Sequence, residues 1–151
     1  MLRLSKLTDY AMVTMAYLAK HPGQARNARN IAEKTGVSLA TTSKLLKRLA
    51  SHQLLLAHRG IQGGYQLALP PQDIPLGKII QALEGQIALT ACSHSNRPCD
   101  VEKQCMIRDN WRNISAFIQG TLFQISVADL IEPLPLKSLL KQPLALLENA
   151  S

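Results

Sequence analysis

The sequence predicts a mainly α-helical protein with one small β-hairpin: a winged helix-turn-helix followed by a long C-terminal dimerisation helix. Three observations predict it. Two helical patterns are joined by a tight turn containing glycine. A glycine-rich pair of alternating segments follows them directly. Late in the chain, an apolar stripe at helical spacing has no neighbour in sequence to bury it.

Ser5 or Thr8 caps a first helix running to about Lys20, with Leu7, Ala11, Met15 and Leu18 at helical spacing. The "HPG" of residues 21–23 stops it. Asn27 caps a second, short helix that buries Ile31 and Ala32, and Gly36 ends it in the left-handed conformation glycine tolerates. Ser38 stands where the next N-cap belongs. "LATTSKLLKRLASH" then reads as a third helix burying Leu45, Leu46 and Leu49, with Val37 just before it. In a helix-turn-helix the second helix of such a pair enters the DNA major groove. Its polar face here offers Ser38, Thr41, Ser43, Lys44 and Lys47, whose hydroxyls and ammonium groups reach base edges and phosphates. Taken alone, the pair is also compatible with a plain helical hairpin carrying a solvated lysine face.

The next segment favours the DNA reading. "LLLAHRGIQGGYQLALP" gives two short strands around a glycine-rich turn, Leu54 and Leu56 sharing one face of the first and Tyr65, Leu67 and Leu69 one face of the second. A hairpin in that place is a wing. Arg59 and Gly60 sit at its tip with Gly63 and Gly64, where backbone can approach phosphate and an arginine can enter the minor groove. Pro70 and Pro71 end the wing. A short helix with Leu76, Ile79, Ile80 and Leu83 on one side follows, stopped by Gly85. These elements form a DNA-binding domain over residues 1–85.

Residues 86–105 form a cysteine-rich loop holding Cys92, Cys99 and Cys105 in the spacing Cys-x6-Cys-x5-Cys. Structural zinc sites use tighter knuckles, and a longer loop of soft thiolates suits an iron–sulfur cluster. Zinc, a switchable disulfide and plain buried thiols stay open on spacing alone. From Met106 a long helix carries Trp111, Ile114, Ile118, Leu122 and Ile125 every three or four residues, a face that a second copy of the chain would bury. Ser126 caps a short terminal helix to Ile131, and residues 132–151 form a proline-containing, mobile tail.

The formal net charge of +7 and pI of about 9.6 point to a polyanionic partner, nucleic acid or a membrane face. Aromatic residues at 4% argue against a single-strand binder that stacks bases. No apolar run is long enough to span a bilayer. The basic start and "AMVTMAYLA" imitate a secretory signal, but Asp9 stands close before the run and no small-residue cleavage site follows. The expectation is a cytoplasmic protein with reduced thiols. The sequence has no Cys-x-x-Cys, nucleotide loop or acid–base pair to support an enzyme.

In order, the N-terminal helix, helix-turn-helix, wing with "RGIQGGYQL", short helix, three-cysteine loop and long helix resemble the Rrf2 family of winged-helix transcription regulators over about residues 1–131. "MLRLSKLTDYAM" and "ALEGQIALTACSH" look closest to the branch regulating the Suf cluster-assembly operon. The resemblance implies a homodimeric regulator, a repressor, of iron–sulfur assembly genes. It implies a double-stranded operator as partner, with no membrane and no small-molecule substrate. By position, Cys92, Cys99 and Cys105 match the ligands of a [2Fe–2S] or [4Fe–4S] cluster. The helix from Ser38 to about Ala50 matches the recognition helix, residues 59–64 the wing tip, and the helix near Met106 the dimer helix with Trp111, Ile114, Ile118 and Leu122. In the cluster-assembly repressors a histidine three positions after the third cysteine is the fourth ligand. Here Arg108 stands there, and a guanidinium offers no lone pair. In nitric-oxide-sensing members the fourth ligand is an aspartate of the partner subunit, and Asp9 in "LTDY" occupies that place. Asp9 also suits a first helical turn for its charge alone. His94, Asp100 and Glu102 are alternatives within the loop. A regulator of the same fold using zinc or a thiol switch is the rival reading.

Overall fold

The computed structural model describes residues 4–60, 63–94, 99–101 and 104–133. In chain order the elements are α1 (Lys6–Ala19), α2 (Ala28–Thr35), α3 (Leu39–Ser51), β1 (Leu55–His58), β2 (Gly64–Leu67), α4 (Leu76–Glu84) and α5 (Arg108–Gln124), with short 3-10 turns between and after them. The architecture is mainly helical with a two-stranded antiparallel sheet, as the patterning predicts.

Of the two cap candidates for α1, Ser5 is the cap. Its side chain accepts from Thr8 N at 3.2 Å. Thr8 is instead buried inside the first turn, and its hydroxyl donates to Glu84 Oε1. The same carboxylate accepts from Ser5 N at 2.9 Å. The last residue of α4 thus closes the N-terminus of α1. Hydrogen bonding from Ser5 and Thr8, with a smaller contribution from nearby Arg48, holds the Glu84 carboxyl below its ordinary value against a smaller opposing effect of burial.

The core gathers Ala11, Met15 and Leu18 of α1, Ile31 of α2, Leu45, Leu46 and Leu49 of α3, and Leu76, Ile79 and Leu83 of α4. The predicted apolar stripes of α1 and α3 face it, as does that of α4 except for Ile80, which is buried outside this cluster. Val127, from beyond α5, is fully buried in the same cluster. The chain after α5 returns beside the segment before α4, with Leu76 N donating to Ile125 O at 2.8 Å and Val127 N to Ile74 O at 2.9 Å. Ser126 caps this return. Its Oγ donates to Asp129 Oδ2 at 2.7 Å and accepts from Asp129 N at 3.4 Å. The short helix expected after Ser126 is a 3-10 turn over Ala128–Leu130.

The hairpin phase departs from the expectation. Leu54 precedes β1, and it is Leu55, not Leu56, that joins Leu54 in the core, with Leu56 45% exposed. The cause is Gln53, whose φ of 60° turns the chain out of α3 through the left-handed region. β1 therefore enters the core at Leu55, which pairs with Leu67, and the rest of the strand is exposed. Tyr65 and Leu67 pack against the core as predicted, whereas Leu69 lies beyond β2 and is exposed. The long helix begins at Arg108 rather than Met106, and Met106 is 97% exposed. α5 lies on α4, with the Phe123 ring against the Gly77 backbone so closely that a Cβ at Gly77 would overlap it. The expected mobile tail lies, from residue 134 on, outside the described residues.

Candidate nucleic-acid interface and cysteine loop

The reading head is built by two caps and one turn. Asn27 Oδ1 accepts from Asn30 N at 2.8 Å to start α2, and Gly36, at φ 71°, ends it. Val37 drops into the interior. Ser38 Oγ then accepts from Thr41 N at 3.3 Å and starts α3. Thr42 is buried beside the turn, and its hydroxyl donates to Val37 O at 3.4 Å. With Thr42, Leu45, Leu46 and Leu49 inward, α3 turns Ala40, Lys44 and Lys47 to the opposite side, all exposed.

The predicted contact residues fare differently. Lys44 and Lys47 are exposed, and Ser43 and Thr41 are half-buried. Ser38 is exposed but committed: besides capping, its hydroxyl donates to Thr41 Oγ1 at 2.8 Å. Arg48 is exposed as well, but its Nε is anchored on the fold, donating to Ala82 O at 2.9 Å. Arg59 and Gly60 are exposed at the wing, Gly60 at φ 106°, and Gly63 N closes the turn on Gly60 O at 2.9 Å. Residues 61 and 62 of the tip lie outside the described residues.

Sequence reasoning missed how the wing is fastened. Arg26 N donates to Tyr65 O at 2.9 Å and Tyr65 N to Arg26 O at 2.8 Å, so the residue before the α2 cap pairs with β2. Gly64 makes this approach possible: a Cβ there would stand 2.5 Å from Arg26 C. The only sequence signal was the second glycine of the "GGY" run.

The cysteine loop is pinned at one end. A 3-10 turn over Ala91–Ser93 carries Cys92, whose carbonyl accepts from Arg112 Nε at 3.0 Å, while Ser93 Oγ donates to Trp111 O at 3.3 Å. Leu89 N donates to Ser115 Oγ at 3.2 Å, and Thr90 Oγ1 lies 3.1 Å from Cys92 Sγ. Cys105 stands just before α5, and Cys99 lies between. All three are free, half-buried thiols. Their donor chemistry fits a soft metal or cluster. Yet among the described residues no three His, Cys, Asp or Glu side chains come together to hold a metal ion. Asp9 is exposed in the first turn of α1, and Asp100 is exposed. His94 and Arg108 are half-buried, and Glu102 lies outside the described residues.

The face expected to bind a second copy is open in the single chain. Trp111 is 37% and Ile114 45% exposed, with Ile118 and Leu122 half-buried farther along α5. Among the described residues no helix is long and apolar enough to cross a membrane.

The sequence profile of the family described as Rrf2, iron-dependent transcriptional regulator, matches residues 4–133. The HTH-type transcriptional regulator IscR of Aliivibrio salmonicida is 30% identical over 131 residues, covering 86% of this chain and 77% of the relative. Among solved structures, CymR, the global cysteine regulator of B. subtilis, superposes with a TM-score of 0.71 at 28% identity, covering 87% of this chain and 97% of CymR. T. potens IscR superposes with a TM-score of 0.65 at 29% identity, covering 86% of each chain.

Proposed function

The chain belongs to the Rrf2 family and is a DNA-binding transcriptional regulator, not an enzyme; from that premise we propose that it is a homodimeric, cytoplasmic repressor whose DNA affinity is set by an iron–sulfur cluster. The observation that carries the DNA part is the outward face of α3 with Lys44 and Lys47, flanked by a glycine wing bearing Arg59. Two such heads, related by a two-fold axis, would enter successive major grooves of a palindromic double-stranded operator. Lys44, Lys47 and Arg59 would supply the salt-dependent phosphate contribution.

Cys92, Cys99 and Cys105 would hold the cluster, with Asp9 of the second copy as fourth ligand. Bound there, the cluster would supply a tie, sensitive to oxidation and iron supply, between the loop of one copy and α1 of the other. The chain's own residues prepare that tie. Arg112 and Ser93 fix the Cys92 turn on α5, and Glu84 fixes the N-terminal turn that carries Asp9. The ligand would bias the two reading heads only through a difference in affinity for their two arrangements. Genes of iron–sulfur cluster assembly, the Suf system among them, are the targets this reading assigns.

A second reading has an observation of its own. Among the described residues the three thiols are free and half-buried and no group forms that could hold a metal ion, which suits a thiol switch in a regulator of the same fold, with zinc as the other alternative to a cluster.

Anaerobic purification with visible absorption, iron and acid-labile sulfide analysis separates the two. The cluster reading expects a brown protein with sulfide matching iron, colour lost in Cys99→Ala and a changed spectrum in Asp9→Ala. Colourless protein after anaerobic reconstitution, or zinc in place of iron, would sink the cluster and leave the DNA-binding fold with the thiol or zinc alternative.

A further inference from the structure

The N-terminal turn of a recognition helix is the part that meets base edges. In this chain that turn is unexpectedly short of free hydrogen-bonding groups. Ser38 Oγ accepts from Thr41 N and donates to Thr41 Oγ1, so it has little left for a base. Thr41 is half-buried, and its hydroxyl, already accepting from Ser38, keeps its own proton and one lone pair. Next to them are Leu39, 44% exposed, and Ala40, also exposed. Leu39 takes no part in the core cluster or in the apolar residues packed against it.

Position makes this more than one stray surface leucine, which would need no explanation. Ala40 lies on the outward line of α3 with Lys44 and Lys47, and Leu39 stands beside it on the side of Ser43. A protein partner docking on Leu39 and Ala40 would have to desolvate two lysines next to them. DNA would pair those lysines with phosphates while the first helical turn sits against the bases. Of the four bases, only thymine presents a methyl group in the major groove, and apolar side chains read it by contact.

We propose that Leu39 and Ala40 form an apolar ledge packing on the 5-methyl group of a thymine, so that the protein requires thymine at one position of each copy of its recognition sequence. The inference rests on the DNA-binding reading above and deepens it. Lys44 and Lys47 hold the helix on the backbone and carry no sequence information. Leu39 and Ala40 supply discrimination where the capping hydroxyls cannot.

The test begins with duplexes enriched from a random pool by the full-length protein, in its anaerobically reconstituted and metal-free forms. Each thymine of the enriched duplex is then replaced singly by deoxyuridine, which removes only the methyl. Replacement at one thymine per recognition sequence is expected to weaken binding about three- to fivefold, the scale of burying one methyl group. In Leu39→Ala that penalty should fall below about twofold, with the salt dependence of binding unchanged. This variant should fold, since Leu39 is exposed and alanine favours helix. Circular dichroism checks it.

Specific binding indifferent to every uracil substitution would overturn the inference and leave the DNA-binding reading intact. A uracil penalty of the same size in wild type, Leu39→Ala and Ala40→Gly would also overturn it, assigning the methyl to another side chain. Failure of both forms to enrich any sequence over competitor DNA would defeat the DNA-binding reading itself.

Discussion

Glu84 shows how much a single carboxylate can organise. It is the last residue of α4, it accepts from Ser5 N and from the Thr8 hydroxyl, and only Gly85 separates it from the cysteine loop. Its carboxyl is held below the ordinary value of 4.5, first by the Ser5 and Thr8 hydrogen bonds. A group whose pKa is depressed on folding stabilises the fold above its unfolded pKa, and that contribution is lost as pH falls through the folded value. The stabilisation is therefore complete at neutral pH and fades below about pH 4.5. Glu84→Gln keeps an acceptor oxygen but removes the charge. It should lower the melting temperature at pH 7, and the gap to wild type should narrow progressively in melts run down to pH 3. A gap independent of pH would mean that the carboxylate's charge contributes nothing to the α1–α4 junction.

At the scale of elements, the wing is held by backbone pairing with Arg26 as well as by its own two strands. Gly64→Ala would drive a methyl against the Arg26 backbone. Crowding of that kind costs about 1–3 kcal/mol, and relief requires the wing to move away from the start of α2. The expected outcome is a melting point lower by several degrees and, at temperatures where the protein is folded, weaker binding to an enriched duplex with α3 untouched. Full retention of both would show that the Arg26–Tyr65 pairing does not position the wing. The elements most readable in the sequence were those with local punctuation. Asn27, Gly36 and Ser38 each act through groups within a few residues, so α2, the turn and α3 follow from the string of letters. The phase of β1 was not readable, because it depends on a left-handed backbone at Gln53, a residue type with no preference for that region. Nor could the sequence tell Arg48 from Lys47. Both are exposed, but Arg48 is tied through its Nε to a carbonyl of α4 far along the chain, a difference made by tertiary packing. In the cysteine loop the residue types were plain, but which of them converge is decided by chain path, which spacing does not encode.

The whole molecule leaves an apolar strip open. Trp111 and Ile114, in the first half of α5, are exposed and stand outside the core that holds Leu76, Ile79 and Val127, and Ile118 and Leu122, half-buried, continue the strip toward the C-terminal end of α5. Apolar area exposed along one helix is a candidate association surface. An isologous pairing of two α5 helices would cover it and set two reading heads at a fixed separation. Replacing Trp111 and Ile114 together by glutamate should place like charges in the middle of that pairing. Neither side chain is part of the monomer core, so the fold should survive, which circular dichroism can verify. Sedimentation should then show the mass fall from twice 16.6 kDa to 16.6 kDa. DNA affinity should fall with it, on the order of a hundredfold or more, because the second head loses the effective concentration that the first one gives it. Single-site affinity for a half-length duplex should hardly change, since α3 and the wing are far from the substitutions in the chain. A wild type that sediments as a monomer, or a doubly substituted chain that remains a dimer, would move the association surface elsewhere. A fall in full-site and half-site affinity by the same factor would mean instead that Trp111 and Ile114 support the reading head directly.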